Sequence, residues 1–186
     1  MCTHHNRLWS AIILISSLLC GFAQAADAGG QIFTTEDKHV RFWAAGAPEK
    51  TEETMSERKG APYKRTTYTM ETEGTTLMLG ILAFRHDDPS ASGYETRYLN
   101  TMLDNLLKGF HTKLLLDSDT GWKDIDMPAG NLKGKQLKGR LDGQDFTLRA
   151  YVAPHTIYML QTGHAPLNNK AAEVAERFLQ SLELIP

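Results

Sequence analysis

Four aspartates, Asp117, Asp119, Asp124 and Asp126, fall at alternating positions in the stretch DSDTGWKDID. Carboxylates in that pattern supply the hard oxygen ligands that calcium takes. The stretch departs from an EF-hand loop in three ways. Gly121 stands fifth, Trp122 occupies the sixth place where that loop needs glycine, and Pro128 replaces the closing glutamate. The competing reading is a polar turn whose aspartates fold back onto backbone amides. The four aspartates are the metal-site expectation. Trp122, an aromatic within an acidic loop, is expected to contact a partner, the competing reading being a plug at the end of the sheet.

The next segment, GNLKGKQLKGRLDG from Gly130, carries Lys133, Lys135, Lys138 and Arg140. A phosphate-binding Walker loop needs Ser or Thr after its Gly-Lys and a helix immediately beyond. Gln136 follows Gly134-Lys135 instead, and the chain runs on through Asp142-Gly143, a hairpin turn signal. Aromatic platforms for stacking bases are missing from this segment. The lysines are therefore expected on the solvated or edge positions of a strand, where they discourage edge-to-edge association. The alternative is a surface for an anionic partner, formed by Lys133, Lys135 and Lys138.

Other chemistry is weaker. RHDDP supplies His86, Asp87 and Asp88 at a strand end, with His111, His155 or His164 as an unspaced third ligand for a transition metal. The competing reading is a helix-entry turn, where negative charge is favourable. Serines and histidines are present without a G-x-S-x-G elbow, and Ser118 beside two aspartates is no triad. Tyr63, Tyr68, Tyr94, Tyr98, Tyr151 and Tyr158, with Trp43, could line a pocket. Tyrosines at period two are more often half-buried sheet residues with the hydroxyl at the rim.

The chain that must position these groups has 186 residues, enough for one domain with a sizeable core. It opens with a basic start at Arg7, the uncharged apolar run LWSAIILISSLLCGFA, and Ala23-Gln24-Ala25. That three-part pattern predicts a signal peptide over 1–25, cut after Ala25, and a secreted or periplasmic protein. A competing cut before Cys20 would leave a lipid anchor, but Leu19 is not the small residue such a cut requires, so none is expected. Cleavage after Ala25 removes Cys2, Cys20 and Arg7, taking the formal charge from −2 to −3. Disulfides, thiolate catalysis and cysteine-ligated zinc are then excluded. A mildly acidic chain is a poor nucleic-acid binder.

Residues 26–31 read as a flexible tail, and 32–186 as a single α+β domain. QIFTTEDKHVRFW reads as a hairpin turning at Glu36-Asp37-Lys38. Residues 44–62, polar with Gly and Pro at both ends, read as a loop. Residues 63–84 read as a strand pair turning at Glu73-Gly74. The second strand is apolar at nearly every position and so is expected to be covered on both faces. Leu99, Met102, Leu103, Leu106, Leu107 and Phe110 share one helical stripe, capped by Ser90 or Ser92. Strands over 131–141, 144–152 and 156–162 follow, and then a closing helix capped at Asn168 or Asn169. Its stripe is Ala171, Ala172, Ala175, Phe178, Leu179 and Leu182. Hairpins rather than crossovers join the strands, which predicts an antiparallel β-sheet packed between helices.

The residues that carry a family resemblance are Phe42…Gly46-Ala47-Pro48, Gly134 and Gly139, Arg149-Ala150-Tyr151…Tyr158-Met159-Leu160, and Ala175-Glu176-Arg177-Phe178-Leu179-Gln180-Ser181. In these the chain resembles the small secreted Mog1/PsbP-like α/β/α sandwich domains over nearly its whole mature length. The resemblance implies an antiparallel sheet between helices, and an accessory or partner-binding protein rather than an enzyme. The functional expectation is thus a non-enzymatic domain, without a cofactor, that binds another envelope protein. The alternatives are a small-ligand or calcium-binding protein, and a hydrolase whose site assembles only in three dimensions.

Overall fold

Alternating and continuous apolar runs, separated by residues that tolerate left-handed backbone, build most of the described residues into antiparallel strands. The structure is a computed structural model that describes residues 30–55, 63–72, 74–84, 101, 105, 108 and 116–185. Its elements are β1 (Gln31–Thr34), β2 (Val40–Ala44), β3 (Glu49–Met55), β4 (Tyr63–Thr72), β5 (Thr75–Phe84), β6 (Leu116–Asp119) and β7 (Lys123–Asp126). After them come β8 (Lys133–Leu141), β9 (Gln144–Ala153), β10 (Thr156–His164), a helix α1 (Asn169–Gln180) and β11 (Glu183–Leu184).

The turns have local causes. Between β1 and β2, Thr35 Oγ1 donates to Asp37 Oδ1 at 2.6 Å, and Lys38 takes a φ of 60°. Between β8 and β9, Asp142 and Gly143 both have positive φ, 50° and 74°. That pair matches the right-handed twist of the strands it joins. His155, at φ 57°, closes the β9–β10 turn.

The large sheet has the order β3-β4-β5-β10-β9-β8-β6, with β7 also pairing β8. A small sheet has the order β1-β2-β11. One parallel bridge, Ala129 to Glu183, connects the small sheet to the β7–β8 turn.

The large sheet is apolar on both faces. On one face Tyr68, Leu77, Leu79, Tyr151 and Leu160 pack with Val174, Phe178 and Leu179 of α1 and with Val40, Phe42 and Trp43 of β2. Phe42 meets Phe178 edge-on, with ring centroids 6.1 Å apart. On the other face Tyr63, Leu82, Phe84, Leu137, Phe146, Leu148, Ala150, Ile157 and Met159 form a second cluster. Neighbouring strand residues therefore serve opposite cores, as the apolar run of β5 requires. Asn168 caps α1, its side chain accepting from Ala171 N at 3.1 Å. At the other end Ser181 Oγ donates to Phe178 O and accepts from Trp43 N, tying the helix to β2.

This architecture corrects the expected α/β/α sandwich. It is mostly antiparallel β, in two sheets, with α1 as the single complete helix among the described residues. The face that carries α1 is covered jointly by the helix and the small sheet, because Val40, Phe42 and Trp43 of β2 are apolar enough to supply core themselves. The expected stripe from Leu99 to Phe110 lies outside the described residues, although Thr101, Asn105 and Lys108 are helical and exposed. The expected signal peptide over 1–25, with Cys20, also lies outside them. Among the described residues no helix is long and apolar enough to cross a membrane.

Two further corrections concern single strands. The expected loop over 44–62 contains β3, which pairs β4 over seven residues from Glu49↔Thr69 to Met55↔Tyr63. The lysine-rich β8 is not an edge strand, since β9 lies along one side and β7 and β6 along the other.

Candidate functional site

The site begins at the β7–β8 hairpin. Met127, 3% exposed, anchors its turn, and Met127 N donates to Leu132 O at 3.0 Å. That closure sets the register, pairing Asp126 with Lys133, Ile125 with Gly134, and Asp124 with Lys135. Gly134 is required by close approach. A Cβ there would lie 2.3 Å from Ala150 O and 2.5 Å from the Tyr151 ring.

Directly opposed residues share a face of the sheet, and here they carry opposite charge. Lys133 Nζ lies 2.5 Å from Asp126 Oδ1, and Lys135 Nζ lies 3.2 Å from Asp124 Oδ1. The aspartates and Lys133 are well exposed, while the Lys135 side chain is 34% exposed. Trp122 precedes β7 on the same face and packs against the second core cluster. Its indole Nε1 is buried with no hydrogen-bond partner among the described residues.

Two of the expected calcium ligands are therefore each tied to one of the expected partner-binding lysines. The other two, Asp117 and Asp119, belong to β6, which pairs the far end of β8: Asp119 lies opposite Gly139, whereas Asp124 lies opposite Lys135. Four residues of strand put those backbones about 13 Å apart along β8. The hairpin thus gathers Trp122, Asp124, Asp126, Lys133 and Lys135, and the strand register holds Asp117 and Asp119 away. Among the described residues no group of three or more metal-binding side chains assembles. His86, Asp87, Asp88, His111, Tyr94 and Tyr98 lie outside the described residues.

Lys138 and Arg140 occupy the opposite face of β8 from Lys133 and Lys135, because strand side chains alternate. Arg140 pairs Asp145 at 3.5 Å. Lys138 faces the neighbourhood of α1, where Arg149, read in the sequence only as part of a resemblance motif, forms a buried network. Arg149 is 7% exposed. Its Nε donates to Gln136 Oε1, Nη1 to Leu179 O at the end of α1, and Nη2 to Glu176 Oε1. Gln180 Nε2 also donates to Glu176 Oε1. Burial raises the Glu176 carboxyl, but the Gln180 hydrogen bond, Arg149 and Lys138 outweigh it and hold the group below its ordinary value. Burial likewise pushes the Tyr151 phenol up, against the opposing effect of nearby Arg149. The signal for this network was one arginine inside the apolar run of β9, since a buried guanidinium demands partners. Tyr63, Tyr68, Tyr151 and Tyr158 are all under 9% exposed, more deeply set than half-buried rim residues.

No family model matches the chain, and no relative is found among curated proteins. Among solved structures the chain is similar to the solution structure of cyanobacterial PsbP (CyanoP) from Synechocystis sp. PCC 6803. That likeness covers 90% of this chain and 99% of the other, at a TM-score of 0.49 and 8% identity. At such a distance no activity or partner passes from that protein to this one.

Proposed function

We propose that this protein is a non-enzymatic accessory domain of the periplasm or the secreted space that binds another envelope protein through the β7–β8 hairpin. One observation carries the reading: Trp122, Asp124, Asp126, Lys133 and Lys135 come together on one face of one hairpin, with their charges in alternating exposed pairs. An exposed ion pair contributes only about 0.2–1 kcal/mol, so its members can exchange partners at little cost. Complementary charge on a second protein then sets orientation and association rate. Half-buried Trp122 would supply an apolar contact flanked by the polar ones of the two ion pairs, the usual anatomy of a binding patch.

The test is crosslinking in intact cells of the native host, using the full-length chain with a C-terminal tag. One envelope protein is expected to crosslink reproducibly, and the Lys133→Ala, Lys135→Ala double variant is expected to lose most of it while keeping its melting temperature. Undiminished crosslinking in that variant would remove the hairpin from the reading.

A further inference from the structure

A second surface lies at the opposite end of the large sheet and is independent of the hairpin. β3 ends the strand order, and among the described residues only β4 pairs with it. It runs seven residues, about 23 Å. Glu49, Thr51, Glu52, Glu53 and Thr54 are exposed, and among the described residues nothing covers this row. In an antiparallel pair roughly every other residue turns its N–H and C=O away from its neighbour, so β3 presents unpaired backbone groups outward.

The side chains decide what this edge admits. On one face of the strand stand Glu49, Thr51 and Glu53; on the other stand Lys50, Glu52 and Thr54. Lys50 is held between Glu36 and Glu52, Glu52 also reaches Lys64, and Glu53 pairs Arg65. Glu49 makes no ion pair among the described residues. The strand itself carries three carboxylates and one ammonium. An apolar strand docking here would desolvate these charges without compensation, which is how charged edges prevent indiscriminate pairing. A strand with basic side chains opposite Glu49, Glu52 and Glu53, and small hydroxyl side chains opposite the threonines, would meet complementary neighbours at those positions.

We propose that β3 is an acceptor edge for an extended basic segment of a partner protein, which adds to the large sheet as a further strand. Main-chain hydrogen bonds supply affinity in this mode, and the flanking charges supply selectivity.

The probe is a synthetic peptide with lysines opposite Glu49, Glu52 and Glu53 and threonines at the remaining positions, titrated into the isotope-labelled full-length chain and followed by amide NMR. Saturable shifts are expected at Glu49 to Thr54, with slowed hydrogen exchange on alternate β3 amides. A peptide of alternating glutamate and threonine should produce neither. The Glu49→Lys, Thr51→Lys double variant changes two exposed side chains that make no ion pair among the described residues, and it should weaken the lysine peptide about tenfold. A lysine peptide N-methylated at alternate residues should lose binding to the unaltered protein, a result that does not depend on any variant folding. The Lys133→Ala, Lys135→Ala hairpin variant should bind the peptide normally, which separates failure of this edge from failure of the hairpin. No shift at millimolar peptide, shifts away from β3, or equal binding of the two charge types would each overturn the proposal.

Discussion

At one end of the large sheet, β8 is flanked by two four-residue strands, β6 and β7, with a register shift in β6 and a threonine at the junction. Thr120 N and Oγ1 both donate to Lys138 O there, filling the gap between the two short strands. At the other end, β3 lies straight along β4 for seven residues without interruption. The first edge is broken up, anchored by Met127 and Trp122, and tied to α1 through Gln136 and Arg149. The second is long, polar and held by its ladder and surface ion pairs. Short, bulged strands close an edge to further pairing, and a long regular one leaves it open except for its charges. One sheet thus has a built end and an accessible end, and the two proposed surfaces belong to those different ends.

That contrast can be broken most directly at its apolar anchor. Leu137 of β8 is fully buried in the second cluster. Leu137→Ala is expected to cost about 2–5 kcal/mol, whereas Thr51→Ala on β3 should stay within about 0.5 kcal/mol. Urea unfolding of the two variants checks this, and equal losses would mean that the ends are not differently anchored. A smaller effect is expected at Gly134, where an added methyl must displace the Ala150 carbonyl or the Tyr151 ring. Gly134→Ala should destabilise by about 1–3 kcal/mol, with hydrogen exchange accelerated first in β7 and β8 rather than in β3.

The smallest effect sharpens the tie to the helix. Glu176 titrates below its ordinary value of 4.5 in the folded protein. A depressed carboxyl contributes stability that is present above its unfolded pKa and is lost as pH falls through the folded pKa. The contribution is therefore complete at neutral pH and fades below about pH 4.5. Glu176→Gln should flatten that part of the stability–pH curve and lower stability slightly at pH 7, as measured by thermal melts across pH 3–7. An unchanged acid limb would show that Arg149 does not rely on Glu176.

Much of this fold was legible in the residues. Asp142-Gly143 marked its hairpin because few other pairs accept two consecutive positive φ values. Asn168 and the Ala171–Leu179 stripe marked α1, and the unbroken apolar run of β5 marked a strand covered on both faces. β3 was not legible, since a strand with polar residues on both faces has no periodicity to betray it. The edge position expected for the lysines of β8 failed for a related reason. Lys133 does face solvent and Lys135 is partly exposed, each paired with an aspartate of β7, but they do so from a strand that has neighbours on both sides.

The sequence by itself determined which residues turn the chain, which are apolar enough to form cores, and that both cysteines, Cys2 and Cys20, lie within its first 25 residues. Those properties are local, set by backbone conformational preference and side-chain solvation. Only the tertiary structure decided that Asp124 and Asp126 face lysines while Asp117 and Asp119 sit a strand's length away. It also decided that a small sheet shares a core with α1, and that β3 rather than β8 forms the outer edge. Strand register and strand order couple residues far apart in the chain, and short-range spacing carries no record of that coupling.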